Sequence, residues 1–123
     1  MAKEISLLEI EKYIKALHCD IRWAIIEFLR DGPRSSDEIF KEMEKEDGVL
    51  IRILKKKHSN HCTGQCNHNI TKNLKKPSLY YHLRELEEVG IIELANYKPS
   101  PEKRAPEKVW KLNVEKLTIN FMK

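Results

Sequence analysis

Residues 78–93 read SLYYHLRELEEVGIIE, and this stretch decides the fold. Its apolar residues recur at steps of four, three and three, which predicts a helix with one buried stripe. They are Leu79, Leu83, Leu86 and Val89. Gly90 is a typical residue at the end of a helix, and a strand-like run follows it. We therefore expect a helix over residues 74–89, whose opposite face carries Tyr80, Tyr81, Arg84 and Glu85.

The sequence after this helix predicts a β-hairpin. IIELANY (91–97) and VWKLNV (109–114) are strand-like, and the proline-rich basic stretch KPSPEKRAPEK (98–108) lies between them. We expect a hairpin over 91–114 with a cationic tip. The final KLTINF (116–121) predicts either a further strand or a docking segment.

Three helices are predicted in the first part of the chain, before the helix over residues 74–89. Residues 5–17 carry one narrow apolar face, residues 21–32 a wider one typical of a central core helix, and residues 34–45 form a short helix that Ser35 or Ser36 can cap. The residues expected to face inward are Leu7, Ile10, Ile14 and Leu17 in the first, Ile21, Trp23, Ala24, Ile25, Phe28 and Leu29 in the second, and Ile39, Phe40 and Met43 in the third.

A Cys/His-rich segment separates these helices from the last one. Residues 48–72 have the character of an insertion, in which Val49 to Leu54 predicts either a helical turn or two or a short strand. HSNHCTGQCNH (58–68) then holds three of the five histidines and two of the three cysteines. Thiolate and imidazole are the ligands that zinc prefers, and a structural zinc takes four. The spacing favours His58, Cys62, Cys66 and His68, with His61 as the substitute; a polar connector without metal and a Cys62–Cys66 disulfide are the alternatives.

Composition limits the classes of function. A chain of 123 residues, 41% hydrophobic and 34% charged, is long enough for one domain, and no apolar run approaches the roughly 18 residues of a membrane span. The start, MAKEISLLEIEKYIK, lacks the apolar core of a secretory signal, so we expect a cytoplasmic protein with thiols or metal-bound cysteines. Cys19 is expected to be a small buried apolar residue. An enzyme is not expected, because no Asp or Glu between Gly48 and Lys76 could act as a general base beside a metal.

The charge is unevenly distributed. Residues 1–47 carry twelve acidic against eight basic residues, a net of −4, whereas residues 48–123 carry seven against fifteen, a net of +8. This division is expected if the second part faces nucleic acid and the first part packs or dimerises. The alternative is a solvated surface rich in Lys and Glu.

The order of these elements and several of their residues resemble the ArsR-like winged-helix regulators. SLYYHLRELEEVGIIE is similar to their recognition-helix signature, and ALHCDIRWAIIEFLRDGPRSSDEIFKEM is similar to the preceding helices, with Arg22 at the place of their usual arginine. The resemblance covers residues 14–47 and 74–113 and leaves the insertion outside. It implies an α+β fold, a winged helix-turn-helix with a helical core and a C-terminal β-hairpin wing. The Cys/His-containing segment 48–72 is expected to be a zinc-binding loop inserted in this single domain, which spans residues 1–123. SSDEIFKEM lacks the cysteine pair of the metal-sensing members, so sensing by that route is not implied.

A DNA-binding transcriptional regulator is therefore the function that the sequence predicts. A helix fits the major groove, where polar and aromatic side chains can reach base edges and phosphates, and hairpin cations add phosphate contacts. The candidate contacts are Lys75, Lys76, Ser78, Tyr80, Tyr81 and Arg84 on the helix and Lys98, Lys103 and Arg104 on the wing. The direction of His82 is left open. We expect a homodimer through the N-terminal helix, and we expect Zn²⁺ in the insertion to stabilise or switch the regulator. The alternative is a winged-helix subunit that binds proteins and holds a purely structural zinc.

Overall fold

A computed structural model of the chain describes residues 2–61, 74–99 and 105–122, and for residues 57–61 it describes the backbone only. The described residues form five helices and five strands. The strands are β1 (Ala2–Ser6), β2 (Arg34–Ser35), β3 (Ile92–Lys98), β4 (Glu107–Leu112) and β5 (Lys116–Asn120). The helices are α1 (Ile10–Leu17), α2 (Asp20–Leu29), α3 (Ser36–Glu44), α4 (Val49–His61) and α5 (Lys76–Glu88). The mixed α+β class predicted from the sequence is confirmed.

The predicted hairpin is the larger part of a three-stranded sheet. Strand β4 lies in the middle and pairs antiparallel with both β2 and β3. Trp110 of β4 stands opposite Arg34 on one side and Leu94 on the other. An irregularity between Leu94 and Asn96 shifts the β3–β4 register by one residue, as a β-bulge does.

The core lies where α2, α3, α4 and α5 meet the sheet. The predicted inner stripe of α5 is buried, as are most of the apolar residues expected on α2 and α3. The buried core residues of these elements are Ile21, Ala24, Ile25, Leu29, Ile39, Met43, Val49, Leu50, Leu54, Leu79, Leu83, Leu86, Ile92 and Trp110. The prediction for Trp23 is wrong: its side chain is 43% exposed, because the wider apolar face of α2 turns Ile21, Ala24 and Ile25 inward instead.

A capping box fixes the start of α3. The Ser35 hydroxyl accepts the backbone N–H of Glu38, and the Glu38 carboxylate accepts the backbone N–H of Ser35. Two N–H groups that a helix start leaves without partners are thereby satisfied. The same hydrogen bond from the Ser35 backbone is the main reason that the pKa of Glu38 is lowered. Of the two predicted caps, Ser35 is the one that acts.

The predicted insertion begins as a helix that belongs to the core. The sequence predicted either a helical turn or two or a short strand for Val49–Leu54, and the structure has a helix, α4. Its residues Val49, Leu50 and Leu54 are buried in the core cluster. The Glu42 carboxylate accepts the Val49 backbone N–H at 2.9 Å. The chain passes so close to α3 that a Cβ at Gly48 would collide with the Glu42 carbonyl oxygen, so only glycine fits there.

The N-terminal prediction is wrong over its first residues. The helix begins at Ile10, and Ala2–Ser6 is a strand that pairs parallel with β5, with Ile5 opposite Ile119. The partner strand lies more than 100 residues away, and a backbone pairing of that kind overrides local helical periodicity. The inward face of α1 also differs: Tyr13 and Ala16 are buried, whereas Ile14 is 55% exposed. KLTINF is confirmed as a strand over Lys116–Asn120.

Candidate nucleic-acid interface

Helix α5 presents one apolar face to the core and one polar, aromatic face to solvent. Pro77 stands in its first turn, where the missing N–H costs nothing, and Gly90 follows its end with a φ of 80°. Leu79, Leu83 and Leu86 are at most 1% exposed. All of the helix residues predicted to contact DNA are exposed: Lys75, Lys76, Ser78, Tyr80, Tyr81 and Arg84.

An open groove of about 420 Å³ runs between α5 and the hairpin. The buried side chains of Leu83 and Trp110 form its floor. Its rims carry charges of both signs: Arg84 and Glu87 on α5, and Glu107 and Lys108 on β4. The exposed face of α5 and the base of the hairpin therefore form one continuous surface.

Hydrogen bonds fix the base of the hairpin to the start of α3. The Trp110 indole Nε1 donates to the Ser36 hydroxyl at 3.0 Å, and that hydroxyl donates to the Lys108 carbonyl at 3.4 Å. The backbone N–H of Asp37 donates to the Glu107 carboxylate at 2.5 Å, which places a negative charge at the N-terminus of a helix. The base of the hairpin thus has a defined position relative to α3 and α5.

Of the three cationic residues predicted for the wing, Lys98 lies within the described residues. Lys98, at the end of β3, is exposed, and its Nζ lies 4.0 Å from a Glu38 carboxylate oxygen. Lys103 and Arg104 lie outside the described residues. Lys76 at the start of α5 places its ammonium group 5.8 Å from the centre of the Phe40 ring.

The side chain of His82 turns inward from α5. Its Nδ1 accepts a hydrogen bond of 3.1 Å from Arg22 Nε, and Cys19 Sγ lies 3.9 Å from the same nitrogen. Burial, and then the neighbouring Arg22 cation, lower the pKa of His82. Cys19 is partly rather than fully buried, so the expectation of a fully buried thiol is not met. Sequence patterns suggested neither contact, because about 60 residues separate Arg22 and Cys19 from His82.

The predicted zinc ligands lie at the end of α4 and beyond it. His58 and His61 belong to the last turn of the helix, but their side chains are outside the description, as are Cys62, Cys66 and His68 altogether. Among the described residues, no group of three or more His, Cys, Asp or Glu side chains could hold a metal ion. The zinc site therefore stays a prediction from the sequence.

Large apolar side chains are exposed where the two ends of the chain meet. Strands β1 and β5 run parallel and in register from Ala2 and Lys116 to Ser6 and Asn120, so the residues that follow them leave the sheet at the same end. The exposed apolar residues of these terminal segments are Leu7, Leu8, Ile14, Ile119, Phe121 and Met122.

Comparison with known proteins identifies no relative: no protein-family model matches the chain, and neither a curated protein nor a solved structure is significantly similar to it. Within the described ranges, no helix combines the length and apolar character that crossing a membrane requires.

Proposed function

We propose that the chain is a DNA-binding transcriptional regulator of the winged helix-turn-helix class. One observation carries this proposal: the exposed aromatic and basic face of α5 and the base of the β3–β4 hairpin border one groove. The exposed set of lysines, tyrosines, serine and arginine on α5 has the chemistry that reads base edges and phosphates.

The order of the elements supports the same class. Helix α2, strand β2, helix α3, helix α5 and the β3–β4 hairpin follow one another, with α4 as an additional helix between α3 and α5. In winged-helix proteins the helix before the hairpin enters the major groove. An α-helix with its side chains is about 10 to 12 Å across, which fits the roughly 12 Å width of that groove, and the 13 residues of α5 span about 20 Å along it.

In this proposal the wing supplies affinity rather than sequence preference. Lys98, Lys103 and Arg104 would contact phosphates beside the site that α5 reads, and such contacts release condensed counterions. Binding should therefore weaken steeply as salt rises.

We further propose that the Cys/His segment binds zinc through His58, Cys62, Cys66 and His68, with His61 as the alternative ligand. The donor types and their spacing support this. Ordering a polar segment of about ten residues costs on the order of 10 kcal/mol or more, and a structural zinc supplies roughly 10 to 16 kcal/mol. Because the segment directly precedes α5, metal binding would order the approach to Lys75 and Lys76.

Elemental analysis of protein purified without an affinity tag tests the zinc proposal. We expect about one equivalent of zinc, and less than half an equivalent of any transition metal would defeat it. Comparing the duplex affinity of metal-loaded, chelated and oxidised protein then separates the two roles: equal affinities mean that the zinc is structural only, and unequal affinities mean that it switches binding.

The exposed apolar residues of the terminal segments support a homodimer. Leu7, Leu8, Phe121 and Met122 are 47 to 94% exposed and leave the β1–β5 sheet at one end. Exposed apolar surface marks protein interaction sites, and in dimeric helix-turn-helix proteins the partner is a second copy that binds the second half-site. Sedimentation equilibrium should give a dimer that F121S weakens and that Y97S, an exposed change on the hairpin, does not.

Fluorescence anisotropy with a labelled duplex of random sequence tests the DNA-binding function. We expect binding at low salt, and a K103A/R104A variant whose slope of log K against log salt is smaller by roughly one to two. The matched control K12A/K116A removes the same charge from the terminal segments and should leave most of the slope unchanged. Absence of binding at low salt would exclude the proposed function and favour the alternative, in which Tyr80 and Tyr81 contact a protein partner.

A further inference from the structure

Three helices meet at the side chain of Arg22. It lies in the first turn of α2 and is only 8% exposed. Its Nη1 donates to the backbone carbonyls of Lys15 at 3.0 Å and Ala16 at 3.2 Å, in the last turn of α1. Its Nε donates to His82 Nδ1 on α5 at 3.1 Å. One guanidinium group therefore joins the end of α1 to the middle of the proposed recognition helix.

The chemistry of this joint is consistent on all sides. The last carbonyls of a helix lack partners within the helix and favour a cation, which Arg22 provides for α1. A guanidinium group can only donate, so His82 Nδ1 must be the unprotonated acceptor and the ring proton must lie on Nε2. Burial and the adjacent cation both disfavour a charged imidazole and lower the pKa of His82, so the neutral ring that the geometry needs is the one present near pH 7.

The joint also holds one of the two exposed tyrosines of α5. The Arg22 Cζ lies 5.6 Å from the centre of the Tyr81 ring, and the His82 ring stands edge-on to Tyr81 at 5.6 Å and 61°. More than half of the Tyr81 side chain is nevertheless exposed. Tyr80, one residue earlier and similarly exposed, lines the groove toward the hairpin instead. The helix thus carries a closely matched pair of tyrosines, of which one contacts Arg22.

We infer that Arg22 is a positioning residue, which fixes the ring of Tyr81 in the orientation in which α5 contacts the DNA duplex. The inference rests on the proposed function and names a residue that does not itself touch the ligand. Because the ring is already held in the free protein, it does not have to be immobilised when the duplex binds. The joint also ties that orientation to the end of α1, and so to the terminal segments that carry the proposed dimer contact.

A double-mutant cycle on duplex affinity tests this role. R22Q should weaken binding about tenfold, and the loss should shrink to about twofold or less in a Y81A background, because the residue that Arg22 positions is then absent. In a Y80A background the loss should stay near tenfold. A purely structural role for Arg22 predicts the same loss in both backgrounds, and that result would overturn the inference.

Charge and folding are controlled separately. R30Q removes a cation at the C-cap of the same helix, where Arg30 pairs with Glu27 on the surface, and should change affinity by less than about twofold. If circular dichroism shows that R22Q is unfolded, H82F breaks the joint from α5 while keeping an aromatic ring. The combination H82F/Y81A should then show the same shrinkage, and H82F/Y80A should not.

A titration of the free protein separates failure of this inference from failure of the proposed function. Wild-type protein that binds no duplex at low salt would exclude the function, whatever Arg22 does. Nuclear magnetic resonance of His82 and of the Tyr81 ring needs no DNA: R22Q should raise the pKa of His82 and shift the Tyr81 ring resonances, while those of Tyr80 stay in place. Unchanged His82 titration and unchanged Tyr81 resonances would overturn the positioning role.

Discussion

Two regions of the molecule expose different kinds of large side chain. The packed unit is formed by α2, α3, α5 and the β2–β4–β3 sheet. The terminal layer is formed by the two terminal segments, residues 2–17 and 116–122. In the packed unit the large exposed side chains are Trp23, Tyr80, Tyr81 and Tyr97. In the terminal layer they are Leu7, Leu8, Ile14, Ile119, Phe121 and Met122. Every side chain of the first set has a nitrogen or oxygen atom that can form a hydrogen bond, and no side chain of the second set has one.

This difference separates two kinds of contact surface. Tyrosine and tryptophan combine a ring with a hydrogen-bonding atom, so they suit a surface that is wet before and after it binds a polar partner. Leucine, phenylalanine and methionine side chains stabilise a contact only by removing apolar area from water. The difference supports our proposals that the packed unit contacts DNA and that the terminal layer contacts a second copy of the chain.

The largest expected effect is loss of core packing in the packed unit. Leu83 is 1% exposed and lies under the groove, so L83A should lower the free energy of unfolding by about 2 to 5 kcal/mol. Ile14 of the terminal layer is 55% exposed, and I14A should change it by no more than about 0.5 kcal/mol. Urea unfolding of a monomeric sample measures both values. A loss for I14A as large as that for L83A would show that Ile14 is buried in solution.

A smaller effect is expected at the base of the hairpin. Trp110 is only 4% exposed, so W110F removes the hydrogen bond from Nε1 to the Ser36 hydroxyl and also part of a buried ring, and it should cost about 1 to 3 kcal/mol in urea unfolding. The control is W23F on α2, where Trp23 is 43% exposed, and the change should stay within about 0.5 kcal/mol. Equal losses at the two tryptophans would mean that the bond to Ser36 contributes nothing to stability.

The two regions also differ in how far the sequence predicts them. The stripe of α5, the strands of the hairpin and the cap at Ser35 all follow from residues close together in the chain, and each is confirmed. The pairing of β1 with β5 and the contact of Arg22 with His82 join residues about 60 to 110 positions apart, and no local period encodes them. Helical spacing from Ile5 to Leu17 therefore predicted one helix where the chain forms a strand and then a shorter helix.

The candidate site divides in the same way. The exposed face of α5 follows from the helical period, because the buried leucines leave Tyr80, Tyr81 and Arg84 on the opposite side. The groove with the hairpin could not be predicted, since it depends on how Trp110 and Glu107 pack on the start of α3. The zinc ligands are predicted from donor type and spacing alone, and the described residues do not test them.

The cap of α3 should have an intermediate effect within the packed unit. S35A removes the acceptor for the Glu38 backbone N–H and should cost about 1 kcal/mol of unfolding free energy. S78A is the matched control, because Ser78 is an exposed residue in the first turn of α5, whose N-cap is Lys75. S35A should also raise the pKa of Glu38: the Ser35 backbone N–H lowers it most, and the Ser35 hydroxyl, which the substitution removes, lowers it further. A loss for S78A that matches S35A would argue against a specific capping role.

The smallest expected effect is the pH dependence that the Arg22 joint adds to stability. Burial, followed by the Arg22 cation, lowers the pKa of His82 below the ordinary value of about 6.5. At a pH between the pKa of the folded chain and that of the unfolded chain, His82 therefore binds a proton in the unfolded chain but not in the folded one. This contribution to the free energy of unfolding is complete above about pH 6.5 and is lost as the pH falls from there through the lower pKa of the folded protein. The pKa values of the Glu9 and Glu38 carboxylates are lowered from 4.5, so their contributions to the free energy of unfolding are lost as the pH falls below about 4.5. Urea unfolding of wild type and H82F at closely spaced pH values separates the two ranges: H82F should flatten the upper range and leave the lower one unchanged. If H82F keeps the full dependence just below pH 6.5, another group carries it, and the joint between the packed unit and the terminal layer does not sense protons.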